Sequence, residues 1–92
     1  MSPDARLTAK AKAGDLLARL RAAPDEDVVR RAAEECEYLD HAIAAFHMEA
    51  IRFRMFGLSR LMRLAPASFD AETRQLFADI AAELEAAGFQ TK

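Results

Sequence analysis

The segment from Ala42 to Ala65 limits what this chain can fold into, because it is apolar at helical spacing on two opposite sides. Residues three or four apart share one face of an α-helix, which turns by about 100° per residue. One apolar row consists of Ile43, Phe46, Ala50, Phe53, Gly57, Leu61 and Leu64. The second row starts on the opposite face and consists of Ala44, Met48, Ile51, Met55, Leu58, Met62 and Ala65. Such a helix must bury both faces, in a larger core, an oligomer or a membrane.

Four arginines within the segment, Arg52, Arg54, Arg60 and Arg63, argue against a membrane span, since a span needs a run of about 18 or more apolar residues. The chain has 92 residues, 52 % of them hydrophobic, with only three Gly and three Pro. This composition favours a single all-α domain over residues 1–92, and a core this small often depends on oligomerisation.

Pro and Gly divide the chain into three predicted helices. Pro3 after Ser2 predicts a first helix over about 3–22, with Ser2 as its N-cap and Pro24 as its end. The last helix is expected over about 69–87, capped by Ser68, and Gly88 occupies the position of a left-handed C-terminal cap.

A long central helix is predicted between them, over about 25–65, because no Pro interrupts this stretch. A break near Gly57 is the alternative. The net charge alternates along the chain from basic to acidic to basic to acidic. The first helix is therefore expected to fold back on the acidic first half of the central helix, and the last helix on its basic second half.

This layout leaves the second apolar row without a partner in its own chain. We therefore predict a homodimeric helical bundle in which the central helix buries this row against a second copy. The residues of this predicted surface are Met48, Ile51, Met55, Leu58 and Met62. Flexible Met side chains also suit an adaptable surface for another protein.

His47 resembles the phospho-acceptor of histidine phosphotransfer domains, because it is predicted to lie in the middle of a helix with Gly57 ten residues later. That family carries Lys and Gly three and four residues after the histidine, where this chain has Ala50 and Ile51. Phosphotransfer through His47 is one alternative function, and Arg54 could neutralise the phosphate.

A metal site is a second alternative. Glu34, Glu37 and His41 share one side of the predicted helix, and a dimer could bring two such sets together, as in di-iron bundles. Those bundles use Glu-x-x-His, whereas the spacing here is Glu-x-x-x-His. A solvated acidic face explains the same residues more simply.

The arginines of the central helix alternate with Phe53 and Phe56. They could bind an acidic partner, but the acids of the last helix are expected to serve as their counter-ions. The net charge of −2 argues against a nucleic-acid binder.

No pattern of residues indicates catalysis. Cys36 has acidic neighbours, which raise the pKa of a thiol, so we expect a buried, unreactive side chain. A single cysteine and the lack of an apolar leader favour a reducing, cytoplasmic location. The sequence thus predicts a non-enzymatic protein–protein interaction module of bacterial type, such as a small adaptor or regulator, with no cofactor.

Overall fold

Four α-helices and no β-strand are present in residues 3–92, the part of the chain that the computed structural model describes. They are α1 (Pro3–Ala22), α2 (Asp27–Ala44), α3 (Met48–Leu64) and α4 (Ala71–Ala86), and a short 3-10 helix (Pro66–Ser68) precedes α4. The prediction of an all-α fold is confirmed. Ser2, the expected N-cap of the first helix, lies outside the described residues.

The prediction of one long central helix is wrong, because the chain turns at Ala45, Phe46 and His47, which we call the α2–α3 turn. The N–H of Phe46 donates to Ile43 O (3.3 Å) and that of His47 to Ala42 O (3.0 Å). These two hydrogen bonds form a Schellman motif. Phe46 occupies its left-handed position, with φ of 56°. The alternative break at Gly57 is also wrong, since Gly57 lies inside α3.

The end of α4 has the predicted cap. Gly88 has φ of 94°, and the N–H of Phe89 donates to Leu84 O at 2.9 Å, as in the Schellman motif. The start of α4 differs from the prediction, because Asp70 and not Ser68 is the N-cap. The Asp70 carboxylate accepts a hydrogen bond of 2.8 Å from the N–H of Thr73, which satisfies a main-chain donor that the helix itself cannot.

The helices form a bundle in which α1 packs against both α2 and α4, and α2 packs against α3. The first helix lies on the acidic α2, as expected, and Lys10 pairs with Asp40 at 3.3 Å. The expectation that the last helix covers the basic half is wrong, because α4 packs along α1. Arg19 near the end of α1 pairs with Glu72 at the start of α4, at 2.8 Å.

The core lies between the four helices and takes side chains from each of them. Its largest fully buried members are Leu16, Cys36, Leu39, Ile43, Ile51, Met55, Leu58, Ile80 and Leu84. Burying one such aliphatic side chain contributes about 1.5–3 kcal/mol. The direction in which α3 folds back is therefore set by which of its two apolar rows enters this core.

Candidate interaction surface

The row that was predicted to face a second copy lies inside its own chain. Ile51, Met55, Leu58 and Met62 are all buried in the core, and only Met48 is exposed. The prediction that this row lacks an intramolecular partner is wrong, because the α2–α3 turn folds α3 back against α2. These four buried side chains therefore offer no surface to a partner.

The opposite side of α3 is left facing outward. Phe53, Phe56 and Leu64 are 63 %, 54 % and 69 % exposed. Phe53 and Phe56 are about one turn apart, and Leu64 lies about two turns further along α3. Single exposed apolar residues are normal on proteins, whereas a row of large ones marks a site of interaction. Phe53 and Leu64 belong to the first apolar row, although Ile43 of the same row is buried on α2.

An open groove of about 490 Å³ runs between α2 and this side of α3. We call it the aromatic groove, and its walls are Arg31, Glu34, Glu35, Phe53, Phe56, Gly57, Arg60, Leu61 and Leu64. Gly57 admits the Glu35 side chain between the helices, because a Cβ at position 57 would lie only 3.0 Å from Glu35 Oε2. A larger residue there would push this carboxylate aside.

Arg54 fixes one end of the aromatic groove. Its Nη1 donates to both carboxylate oxygens of Glu35, at 3.1 and 3.2 Å. Its guanidinium carbon also lies 4.4 Å from the centre of the Tyr38 ring and 5.0 Å from that of Phe53. Cation–π contacts at exposed sites contribute about 0.5–1 kcal/mol each. Arg54 thus connects the Phe53 ring to Glu35 and Tyr38 of α2.

The other end of the groove is basic. The contact between Glu35 and Gly57 serves as the reference point. Arg31 lies one turn before Glu35 on α2, and Arg60 lies three residues after Gly57 on the antiparallel α3. Both arginines are therefore on the Leu64 side of this contact. In the part of the chain that the structure describes, neither Arg60 nor Arg63 forms an ion pair.

The acids of the last helix do not neutralise these arginines, so the prediction that the last helix supplies their counter-ions is wrong. Asp70 and Glu72 pair with Arg19 of α1 instead. Of the four arginines on α3, only Arg54 has an acidic partner among the described residues. Arg52 donates to the main-chain oxygen of Lys92 at 2.7 Å. The aromatic groove therefore combines exposed rings with arginines that α4 does not neutralise.

His47 lies at a helix end and not in the middle of a helix, so its predicted position is wrong. It is the N-cap of α3, and its Nδ1 accepts the N–H of Ala50 at 3.1 Å. The side chain is exposed and contributes to the end of the helix as Asp or Ser does elsewhere. Phosphotransfer through His47 stays a prediction.

The candidate metal ligands are not brought together. Glu37 pairs with Arg21, Glu34 lines the aromatic groove, and His41 is exposed in the last turn of α2. Over residues 3–92 no group of three or more His, Cys, Asp or Glu side chains is placed to hold a metal ion.

Cys36 is fully buried between α1 and α2. Its Sγ donates to Ala13 O at 3.3 Å. Burial, and secondarily the Asp40 carboxylate, raise the pKa of the thiol to about 12. A thiol in this environment is protonated at neutral pH, so it is a poor nucleophile.

The sequence pattern did not identify Phe53, Phe56 and Leu64 as a surface because it missed the α2–α3 turn. One sequence signal for a helix start was present. Glu49, at the beginning of the basic segment, lies in the first turn of α3, where an acid interacts favourably with the helix dipole.

Comparison of the chain with known protein families, with curated proteins and with solved structures gives no match. Among the helices of residues 3–92, none combines the length and the apolar character that a transmembrane segment requires.

Proposed function

We propose that this chain is a non-enzymatic protein–protein interaction module that self-associates as a homodimer through the aromatic groove. The observation that carries the proposal is the outward-facing row of Phe53, Phe56 and Leu64 beside an open groove. Aromatic and Arg side chains are the residues most enriched at the centres of protein interfaces. The proposal includes an adaptor or regulatory role in the cytoplasm, where the unpaired thiol of Cys36 stays reduced.

A second copy suits the groove because the groove is complementary to itself. Two of its charged side chains have no ion-pair partner among residues 3–92, and they have opposite signs: Arg60 on α3 and Glu34 on α2. In a two-fold dimer each contact occurs twice with the roles exchanged. An axis passing near Phe56 sets Arg60 of each copy against Glu34 of the other, while the exposed rings meet at the centre.

The size of the surface predicts a weak dimer. Three large exposed side chains and the stems of the surrounding charged residues correspond to an interface at the low end, roughly 1,000 Å² in total. Such contacts are transient and dissociate at low concentration. We therefore expect a monomer–dimer equilibrium in the micromolar range or above.

Sedimentation equilibrium over a wide concentration range tests self-association. The Leu64→Glu variant places a charge in the aromatic groove and should be monomeric at concentrations where the wild type dimerises. Leu7→Glu is the matched control, because Leu7 is also a large exposed apolar residue, but on α1. A wild type that is monomeric at all concentrations, or equal effects of the two variants, would contradict the proposal.

Charge reversal tests whether the occupant is a second copy. Arg60→Glu alone, or Glu34→Arg alone, should weaken the dimer about tenfold, since an exposed ion pair contributes up to about 1 kcal/mol and occurs twice. The double variant re-forms both pairs with reversed charges and should recover the wild-type dissociation constant. If the double variant instead shows the sum of the two losses, Arg60 and Glu34 do not face each other across the two-fold axis.

A further inference from the structure

Phe46 holds the backbone conformation that helix ends usually assign to glycine. The Schellman motifs that end α2 and α4 have the same hydrogen bonds, but Gly88 occupies the left-handed position after α4 and Phe46 that after α2. A residue with a Cβ adopts this conformation only at an energetic cost. The backbone of the α2–α3 turn is therefore strained.

The local sequence of the turn favours helix. No Pro or Gly occurs from Asp27 to Phe56, and the residues of the turn are tolerated in helices. The side chains from Ala44 to Met48 are all exposed, so straightening this segment removes none of them from the core. Only the tertiary packing of α3 on α2 requires the chain to reverse here.

From the strain, the helical propensity and the exposure together we infer that the α2–α3 turn is a hinge for exchange of α3 and α4 between two copies. On opening, α2 and α3 become one continuous helix over residues 27–64. The α3 and α4 helices of each copy then pack on α1 and α2 of the other. The partner in this interaction is a second copy of this chain.

The exchange preserves the core. The packing of α3 on α2, to which Met55 and Leu58 contribute, and that of α4 on α1 are re-formed between the two chains. Opening breaks the interactions of the turn itself, in which the Arg6 guanidinium lies 4.0 Å from the centre of the Phe46 ring and donates to Ile43 O at 3.2 Å. Relief of the strain at Phe46 offsets part of this cost. Because the exchanged form contains two chains, its population increases with protein concentration.

Two substitutions at position 46 isolate the backbone effect. Phe46→Ala and Phe46→Gly both remove the ring and its interactions. Alanine favours the continuous helix, whereas glycine favours the left-handed turn. At each hinge, alanine in place of glycine shifts the equilibrium between the closed turn and the continuous helix about tenfold toward the helix. An exchanged dimer contains two hinges. Its dissociation constant should therefore be about hundredfold lower for Phe46→Ala than for Phe46→Gly.

An intrachain distance identifies the exchanged dimer directly. Spin labels on Arg31→Cys and Arg60→Cys, in a Cys36→Ala background, lie across the same groove in the closed chain. They are about 44 Å apart in a continuous helix, at 1.5 Å per residue. Diluting labelled chains with an excess of unlabelled ones before refolding leaves only the intrachain distance. Replacing Arg60 also weakens the dimer that forms through the aromatic groove. Dimers of the labelled protein therefore report on the exchange, and a failure of the groove dimer can be distinguished from a failure of the exchange.

The expected result is a distance of about 44 Å in the dimers of Phe46→Ala after refolding at high concentration, and a short distance in Phe46→Gly. The same label pair with Phe46 retained gives an independent answer if Phe46→Ala folds poorly. Short distances in every dimer, or equal dimerisation of the Ala and Gly variants, would overturn the inference. The exchange is independent of the aromatic groove, so the Leu64→Glu variant should still form the exchanged dimer.

Discussion

The strain at Phe46 should reverse the usual order of stability of Ala and Gly variants of the monomer. At most helical positions, replacing Ala by Gly destabilises a protein by about 1 kcal/mol. At Phe46, with φ of 56°, we expect the Gly variant to be more stable than the Ala variant. Both variants remove the interactions of the ring with Arg6 and with Phe89, so these cancel in the comparison.

The magnitude follows from two opposing effects. The left-handed conformation costs a residue with a Cβ roughly 1–2 kcal/mol, and glycine avoids this. Glycine loses about 0.5–1 kcal/mol more than alanine in backbone entropy on folding. Phe46→Gly should therefore exceed Phe46→Ala by about 0.5–1 kcal/mol in free energy of unfolding.

Urea denaturation at low protein concentration, where the monomer dominates, measures this difference. A slope near 1 kcal/mol/M converts it to a shift of roughly 0.5–1 M in the midpoint. Ala82→Gly is the control, because Ala82 is exposed within α4 and glycine there should be destabilising. If Phe46→Gly is less stable than Phe46→Ala by the loss seen at Ala82, the turn is not strained.

Three further predictions concern the core, the thiol and the helix cap. Met55→Ala should lower the free energy of unfolding by about 2–5 kcal/mol, because Met55 is 1 % exposed, whereas Phe53→Ala should cost much less; equal losses in urea denaturation would contradict the assignment of the core. Cys36, whose pKa burial raises to about 12, should react with an aromatic disulfide reagent at pH 8 only as urea unfolds the chain, and prompt reaction of the native protein would refute this. Hydrogen bonding by Thr73, through its side chain and its main-chain N–H, lowers the pKa of Asp70, so the resulting stabilisation is present above the unfolded-chain pKa of about 3.9 and lost as the pH falls through the lower, folded one. The midpoint difference between the wild type and Asp70→Asn should accordingly shrink as the pH falls below about 3.9, and a difference that stays constant in acid would contradict this explanation.

Local sequence signals were sufficient for the ends of the chain. The helices predicted over about 3–22 and 69–87 correspond to α1 and α4, because Pro3, Pro24 and Gly88 act on the backbone within one turn of their own position. The cap of α4 was misplaced by two residues, since Ser68 and Asp70 are both competent N-caps. Only the fold decides which of them the helix uses.

The α2–α3 turn could not be predicted from local signals, because Phe46 is a poor residue for its position. Packing decides the conformation there. Folding α3 back buries Ile51, Met55, Leu58 and Met62, which contribute about 6–12 kcal/mol in total. The strain at Phe46 costs only about 1–2 kcal/mol. The candidate surface was missed for the same reason, since the row that enters the core determines which row remains outside.

The two proposals meet at the α2–α3 hairpin. Glu34 lies on α2 and Arg60 on α3, so a closed monomer supplies both walls of the aromatic groove from one chain. An exchanged dimer builds each groove from α2 of one copy and α3 of the other, because the packing of α3 on α2 is re-formed between chains. Opening the hinge therefore preserves the aromatic groove and changes the number of grooves on each particle. The monomer presents one groove, and the exchanged dimer presents two. A weak interaction that occurs once dissociates readily, whereas two grooves on one particle allow binding with avidity. The strain at Phe46 thus offers this chain a way to convert a transient interaction into a more persistent assembly without altering the binding surface.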